Sequence, residues 1–189
     1  MKSPILMIHL ALNITGAACL GDGELKQYGM SYKIPISILV VIYTPDRQVL
    51  LLERADHPGY WQSVTGSSEP GESLRQTAVR EVREETGLDA EKYTLIDWDL
   101  QFDFEIFAEW RYRYAPGVTH NVEHVFGLEL PQPVAVELEP REHLNFMWMA
   151  HEEAAKKVFS WTNAAAIERL CPGPDSRILQ HQANPAMRK

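Results

Sequence analysis

The sequence predicts an α/β protein, with strands and a few helices arranged in three layers, and three observations carry that prediction. Residues 35–43 (PISILVVIY) form a continuous β-branched run, the pattern of a strand buried on both faces. Strand-like segments recur downstream at about 93–99, 103–110, 122–130 and 144–149. Between them lies a stretch with helical periodicity and a signal at each end, residues 73–87.

Taken in order, residues 1–30 read as an N-terminal extension of uncertain status. Their apolar run from Ile5 to Ile14 has the look of a short signal peptide, but His9 and Asn13 interrupt it and only Lys2 precedes it. The run is also too short to span a bilayer. Met30, just ahead of the first strand, reads as an alternative start. The folded domain is expected over residues 31–171. After the first strand, Thr44-Pro45-Asp46 marks a turn and residues 48–53 (QVLLLE) a partner strand. Residues 56–60 form a Pro/Gly loop, and residues 61–65 a short strand ending at Gly66. The helix opens on Ser73, whose hydroxyl and Gln76 complete a capping box. Leu74, Ala78 and Val82 recur at four-residue spacing as its buried stripe, and Gly87 suits its C-terminal stop. Two further helices are expected at about 151–158 and 161–170, and residues 172–189 as a polar tail.

A chain of 189 residues with 45% apolar and 23% charged content is long enough to bury one proper core. The formal net charge of −8 argues against a nonspecific nucleic-acid binder, which needs a basic face. It leaves a phosphate substrate open, because a divalent metal can supply the positive charge. Cys19 and Cys171, the only two cysteines, match no metal spacing and suit a reducing cytoplasm. Nothing in the pattern calls for a membrane partner.

The chemistry concentrates on the helix. Glu81, Glu84 and Glu85 stand at i, i+3 and i+4, which puts three mutually repelling carboxylates on one face. Arg80 and Arg83 offset part of the repulsion, and Arg80 can reach Glu84. Such a pattern alone reads as a solvated, salt-bridged face. Here, however, a glycine-bearing loop from Gly66 to Gly71 precedes the helix and can approach phosphates closely, and a fourth carboxylate, Glu72, stands at the helix entrance. An oxygen-rich cluster of this kind suits hard, octahedral Mg²⁺.

These residues resemble the Nudix signature, a 23-residue box in which Gly66, Glu72, Arg80, Glu81, Val82, Glu84, Glu85, Gly87 and Leu88 all fall at the required spacing. The resemblance implies an α/β/α sandwich with a mixed β-sheet, and hydrolysis of a nucleoside diphosphate linked to another moiety. It implies Mg²⁺ as cofactor, with Mn²⁺ as a substitute. Glu81 and Glu85 are the implied metal ligands, Glu84 a further ligand or a base, Arg80 an orienting cation and Glu72 a loop stabiliser.

The likeness extends over roughly residues 32–170 and is similar to the branch of the family that acts on 7,8-dihydroneopterin triphosphate in folate synthesis. It is carried by WQSVTGS at 61–67, FEIF at 104–107, RYAPGVT at 113–119, Glu142-His143-Leu144 with Trp148, and SWTN at 160–163. It implies cleavage to the monophosphate and pyrophosphate, with slower use of dATP and other (d)NTPs. Glu142 joins the implied metal ligands. Lys33, Arg54, Thr65, Gly66, Phe104, Glu105, Ile106, Phe107 and Ser160 are the implied substrate contacts. On their own, Lys33 and Arg54 read equally as strand-edge charges, Phe104 and Phe107 as core aromatics, Glu142 as a solvated loop carboxylate and Ser160 as a helix cap. His143 ranks lower, because a lone histidine is more often structural. Two other readings compete: a MutT-like enzyme that sanitises the (d)NTP pool, and a non-catalytic Nudix domain that senses a ligand. The substrate is a small molecule in each case, and the oligomeric state is open.

Overall fold

The computed structural model describes residues 32–170; the expectations for residues 1–30 and 172–189 lie outside the described residues. Seven strands form one mixed sheet: β1 Ile36–Tyr43, β2 Gln48–Arg54, β3 Trp61–Gln62, β4 Val64–Ser67, β5 Thr94–Glu105, β6 His120–Glu129 and β7 His143–Ala150. Three α-helices accompany them: α1 Leu74–Thr86, α2 His151–Lys157 and α3 Trp161–Glu168.

β1 is the spine. Its run Ile38 to Ile42 is fully buried, as an uninterrupted β-branched strand requires when both faces are covered. One edge pairs in parallel with β6 along its whole length, and β6 pairs antiparallel with β5. The other edge is divided. β4 takes Ser37 to Val40, and β2 meets β1 at Tyr43↔Val49 before leaving to pair with β3 and β7.

Alternation along the strands sorts the core into two layers. Ile38, Val40, Ile42, Leu50, Leu52, Phe126 and Leu128 pack with Ala78 and Val82 of α1. Leu39, Val41, Val49, Leu51 and Val125 pack with Ala154 of α2 and Ala166 and Ile167 of α3. Helices therefore cover both faces, which gives the expected α/β/α sandwich. At Gly127 an added Cβ would lie 2.4 Å from the Trp98 indole, so the absent side chain lets that ring lie over β6.

Helix α1 carries the expected signals. Ser73 accepts from the Gln76 amide while Gln76 accepts from the Ser73 amide, and Gly87 closes the helix in the left-handed region at φ 70°. Leu74 is only partly buried, whereas Ala78 and Val82 are fully so.

Three expectations need correction. The strand expected over 61–65 is two, β3 pairing with β2 and β4 with β1. The segments 93–99 and 103–110 are one strand, β5, with a register shift between Asp97 and Gln101 and a positive φ at Asp99. The period-two alternation of Trp98, Leu100, Phe102 and Phe104 with acidic or amide neighbours runs straight through the irregularity, so the strand resumes on the same face. Residues 108–113 form a 3₁₀ helix rather than the end of a strand. Bonds from Trp110 N–H to Phe107 and from Tyr114 N–H to Arg111 satisfy the backbone locally, leaving no ladder to extend.

Candidate active site

Burial separates the three helix glutamates. Glu81 and Glu85, four residues apart, face inward and are 9% and 2% exposed, while Glu84 projects into solvent. Glu81 packs directly over β4. A Cβ on Gly66 would lie 1.8 Å from the Glu81 carboxyl carbon, so this glycine makes the space in which Glu81 stands. Burial lifts the Glu81 pKa to about 7, against the opposing pull of Arg80. Burial likewise raises Glu85, opposed by His143.

Arg80 ties the loop to the helix. Its Nε donates to Glu72 Oε1 at 2.8 Å, and its Nη1 lies 2.7 Å from Glu81 Oε1 and 3.1 Å from Glu84 Oε2. Nη2 donates to the Ser67 carbonyl and to Glu72 Oε2. Glu72 also accepts from the Thr77 hydroxyl and the Glu69 amide. These bonds, led by those from Arg80, hold its carboxyl at about 2.

The start of β7 brings a second carboxylate and an imidazole to Glu85. Ligand atoms of Glu85, Glu142 and His143 all lie within 4.8 Å of one another. His143 Nε2 is 3.0 Å from Glu85 Oε2, near enough for an ion pair but off hydrogen-bond alignment. Glu85 Oε2 and both His143 nitrogens have no hydrogen-bond partner among the described residues. With only this poorly aligned neighbour, the buried Glu85 oxygen is under-satisfied, and a cation would satisfy it. Two carboxylates and an imidazole, one of the carboxylates buried, fit a divalent cation, and the oxygen donors favour a hard one. Glu81 stands a turn back from this group and Glu84 outside it.

Lys33 bridges to Tyr114 and brings its Nζ to 3.4 Å from Ser67 Oγ. Although the residue is exposed, loss of hydration and then the Arg113 charge lower its pKa, while Glu81 and Glu142 pull it up. Arg54 pairs with His143 across β2 and β7 and is held by Asp56 through both Nε (2.8 Å) and Nη2 (2.6 Å), and by Gln62 Oε1 at 2.9 Å. Its guanidinium lies 5.6 Å from the Trp110 ring centre and 5.7 Å from that of Phe159. Thr65 lies beside Gln62 on β4, and its backbone amide reaches Glu85.

The segment 104–107 divides. Phe104 is half-buried, Ile106 is buried at 3% exposure, Glu105 pairs with Arg111, and exposed Phe107 packs edge-on against Trp110 at 5.2 Å. Phe104 and Phe107 thus differ in setting. Ser160 caps α3, accepting from the Asn163 amide at 3.2 Å. The structure therefore brings Glu72, Arg80, Glu81, Gly66 and Lys33 together at one end of β4, and Glu85, Glu142 and His143 beside them. Phe107 packs against Trp110, and Ser160 serves the start of α3.

Sequence reasoning ranked His143 low and did not single out Asp56, Trp110 or Phe159, which the structure sets around Arg54, with Gln62. For His143 the signal was its place beside Glu142. For the ring residues there was none, since aromatic content alone does not show which ring an arginine will meet.

A NUDIX domain model matches residues 33–170, and the chain belongs to that family. Among curated proteins, it is 50% identical over 142 residues to dihydroneopterin triphosphate diphosphatase of Escherichia coli K12, covering 74% of this chain and 93% of that one. It is 43% identical over 143 residues to the protein of that name from Haemophilus influenzae, covering 74% of this chain and 89% of that one. Among solved structures, that of the E. coli dihydroneopterin triphosphate pyrophosphohydrolase matches with a TM-score of 0.68 at 50% identity, over 73% of this chain and 95% of its own.

Proposed function

We propose that the chain is a Mg²⁺-dependent pyrophosphohydrolase that converts 7,8-dihydroneopterin triphosphate to its monophosphate and pyrophosphate, with side activity on dATP and other (d)NTPs. Residues 31–171 are its catalytic domain. The observation that carries the reading is the buried carboxylate pair beside the glycine loop, in a chain 50% identical over 142 residues to a protein named for this substrate. The low cysteine count supports a cytoplasmic setting, and among the described residues no helix is long and apolar enough to cross a membrane.

Glu85 and Glu142 would hold the cation, with Glu81 and Glu84 completing its set or reaching it through water. Bound there, Mg²⁺ neutralises phosphate charge and makes water a better nucleophile near neutral pH. The protein does the rest. Arg80 fixes Glu81 and keeps the loop from Ser67 to Glu72 closed on the helix. Gly66 lets a phosphate and Glu81 share the end of β4. Glu84, the exposed member of the trio, is the carboxylate left to accept the proton of the attacking water. Lys33 offers its ammonium to the departing pyrophosphate, and Arg54, oriented by Asp56, adds a second positive charge. Thr65, Phe104 to Phe107 and Ser160 line the approach for the ring and its side chain.

Pyrophosphate release from 7,8-dihydroneopterin triphosphate, dATP and 8-oxo-dGTP with Mg²⁺ tests the proposal. The highest kcat/KM is expected for the pterin. A preference for 8-oxo-dGTP points to the pool-sanitising reading, and no release from any substrate points to a sensor.

A further inference from the structure

A second set of buried polar groups lies on the opposite face of the sheet, away from the metal-ligand candidates. The register aligns Phe102 of β5, Glu123 of β6, Ser37 of β1 and Ser67 of β4 in one row across four strands. Paired residues in a sheet share a face, and Glu123 alternates with Val125, so this row lies on the α2–α3 side. Two pairs along, the next on this face, Asn121 is paired with Phe104. The row ends at Ser67, whose hydroxyl is 3.4 Å from Lys33 Nζ and whose carbonyl accepts from Arg80. It therefore links an aromatic strand to the phosphate end of the site.

Glu123 and Asn121 are 6% and 2% exposed, and each has one polar atom satisfied and one orphaned. Thr162, at the start of α3, hydrogen-bonds Glu123, and Asn121 Nδ2 donates to Ser37 Oγ at 2.7 Å. Glu123 Oε2 and Asn121 Oδ1 have no partner among the described residues. Asn121 Oδ1 is an acceptor, and so is Glu123 Oε2 once the carboxyl is ionised, above about pH 7. A core shaped only for packing would carry apolar side chains here, since a buried acceptor without a donor is a net loss. The Phe102 ring and the Trp161 ring stand beside them, 5.3 Å apart and edge-on.

We propose that Asn121 and Glu123 read the 2-amino-4-oxopyrimidine edge of the substrate ring, accepting from its ring N–H and its amino group. Two neighbouring donors mark that edge in pterin and in guanine. Adenine presents an amino group beside a ring acceptor, which would face the Glu123 carboxylate unfavourably. The scale suits the ligand: Glu123 and Ser67 are two strand spacings apart, about 10 Å. A pterin with its three-carbon side chain has a comparable length before its first phosphate. This inference rests on the proposed pterin substrate and names the residues that select it; Phe102 and Phe104 flank the ring, and none of the helix glutamates takes part.

The test compares the full chain with Glu123→Gln, which keeps the shape but replaces an acceptor with a donor. For the variant, kcat/KM on 7,8-dihydroneopterin triphosphate and dGTP should fall at least ~100-fold, while dATP should hold or rise, because the new amide can donate to the adenine ring acceptor. Binding of unphosphorylated 7,8-dihydroneopterin in EDTA, read by its fluorescence, should weaken in parallel. Equal losses on all three substrates indicate a structural role through Thr162 and overturn the inference. Unchanged discrimination overturns it too. Wild-type protein that hydrolyses dATP but not the pterin overturns the substrate reading and this inference with it. Wild-type turnover of the pterin, with Glu123→Gln unaltered, overturns the inference alone. If Glu123→Gln does not fold, Asn121→Ala carries the same comparison through the second acceptor.

Discussion

An added Cβ at Gly66 would lie 1.8 Å from the Glu81 carboxyl carbon and 2.3 Å from its Cγ, so no side chain fits there while Glu81 keeps its place. The collision involves the stem of Glu81 as well as its tip, and Arg80 pins the tip. Glu81 or the end of β4 must therefore move. Gly66→Ala should lower kcat/KM by about 100-fold, the scale of an ångström-sized misplacement in an active site, while the protein still melts cooperatively. Wild-type kinetics from this variant would show that Glu81 is not needed where it stands. The carboxylates of α1 were legible in the sequence because helix spacing alone puts them on one side. Their division was not. Glu81 and Glu85 are buried and Glu84 is exposed because β4 and the start of β7 cover only part of the helix face, and that cover comes from chain segments far away in sequence. His143 was ranked low for the same reason: no local pattern reveals that it lies 3.0 Å from Glu85.

At the scale of elements, α1 holds the site only while its first turn is anchored. Ser73 and Gln76 satisfy one another's backbone amides, directly after Glu72 closes the loop. Ser73→Ala should cost about 1 kcal/mol, a typical loss for an N-cap. That corresponds to a fall of roughly 2–4 °C in Tm for a domain of this size. Because Arg80, Glu72 and Thr77 hold the loop independently, kcat should change little at temperatures below melting. Strand β1, the capping box and the Gly87 stop were readable because each is a local signal. Strand β5 was misread as two because its irregularity near Asp99 resembles a loop, although its alternation continues beyond it. The 3₁₀ turn at Ala108–Arg113 was misread because aromatic and charged residues look strand-like, while the bonds that define the turn are its own. The pairing of β1 with β6 and the divided edge between β2 and β4 leave no local trace.

For the whole molecule, buried acids link stability to pH and to metal. Glu81 and Glu123 have folded pKa values near 7 against an ordinary 4.5, and Glu85 is raised in the same direction. The fold thus favours their protonated forms. Stability from these groups is present below about pH 4.5 and is lost as pH rises through 7. Asp56 and Glu72, held at about 2, act oppositely, but only as pH falls from about 4 toward 2. Metal-free protein should accordingly melt lower at pH 8 than at pH 5. A cation binding the ionised carboxylates reverses that trend. At a hundredfold excess over its Kd it adds about 2.7 kcal/mol. The most direct test of the central claim, that Glu85 belongs to a buried cation site, is the Tm of wild-type and Glu85→Gln protein with and without Mg²⁺ at pH 5 and pH 8. The account predicts that Mg²⁺ raises the wild-type Tm by roughly 5–10 °C at pH 8, less at pH 5, and not at all in Glu85→Gln. No Mg²⁺ effect on wild type at pH 8, or an equal effect on the variant, would contradict it.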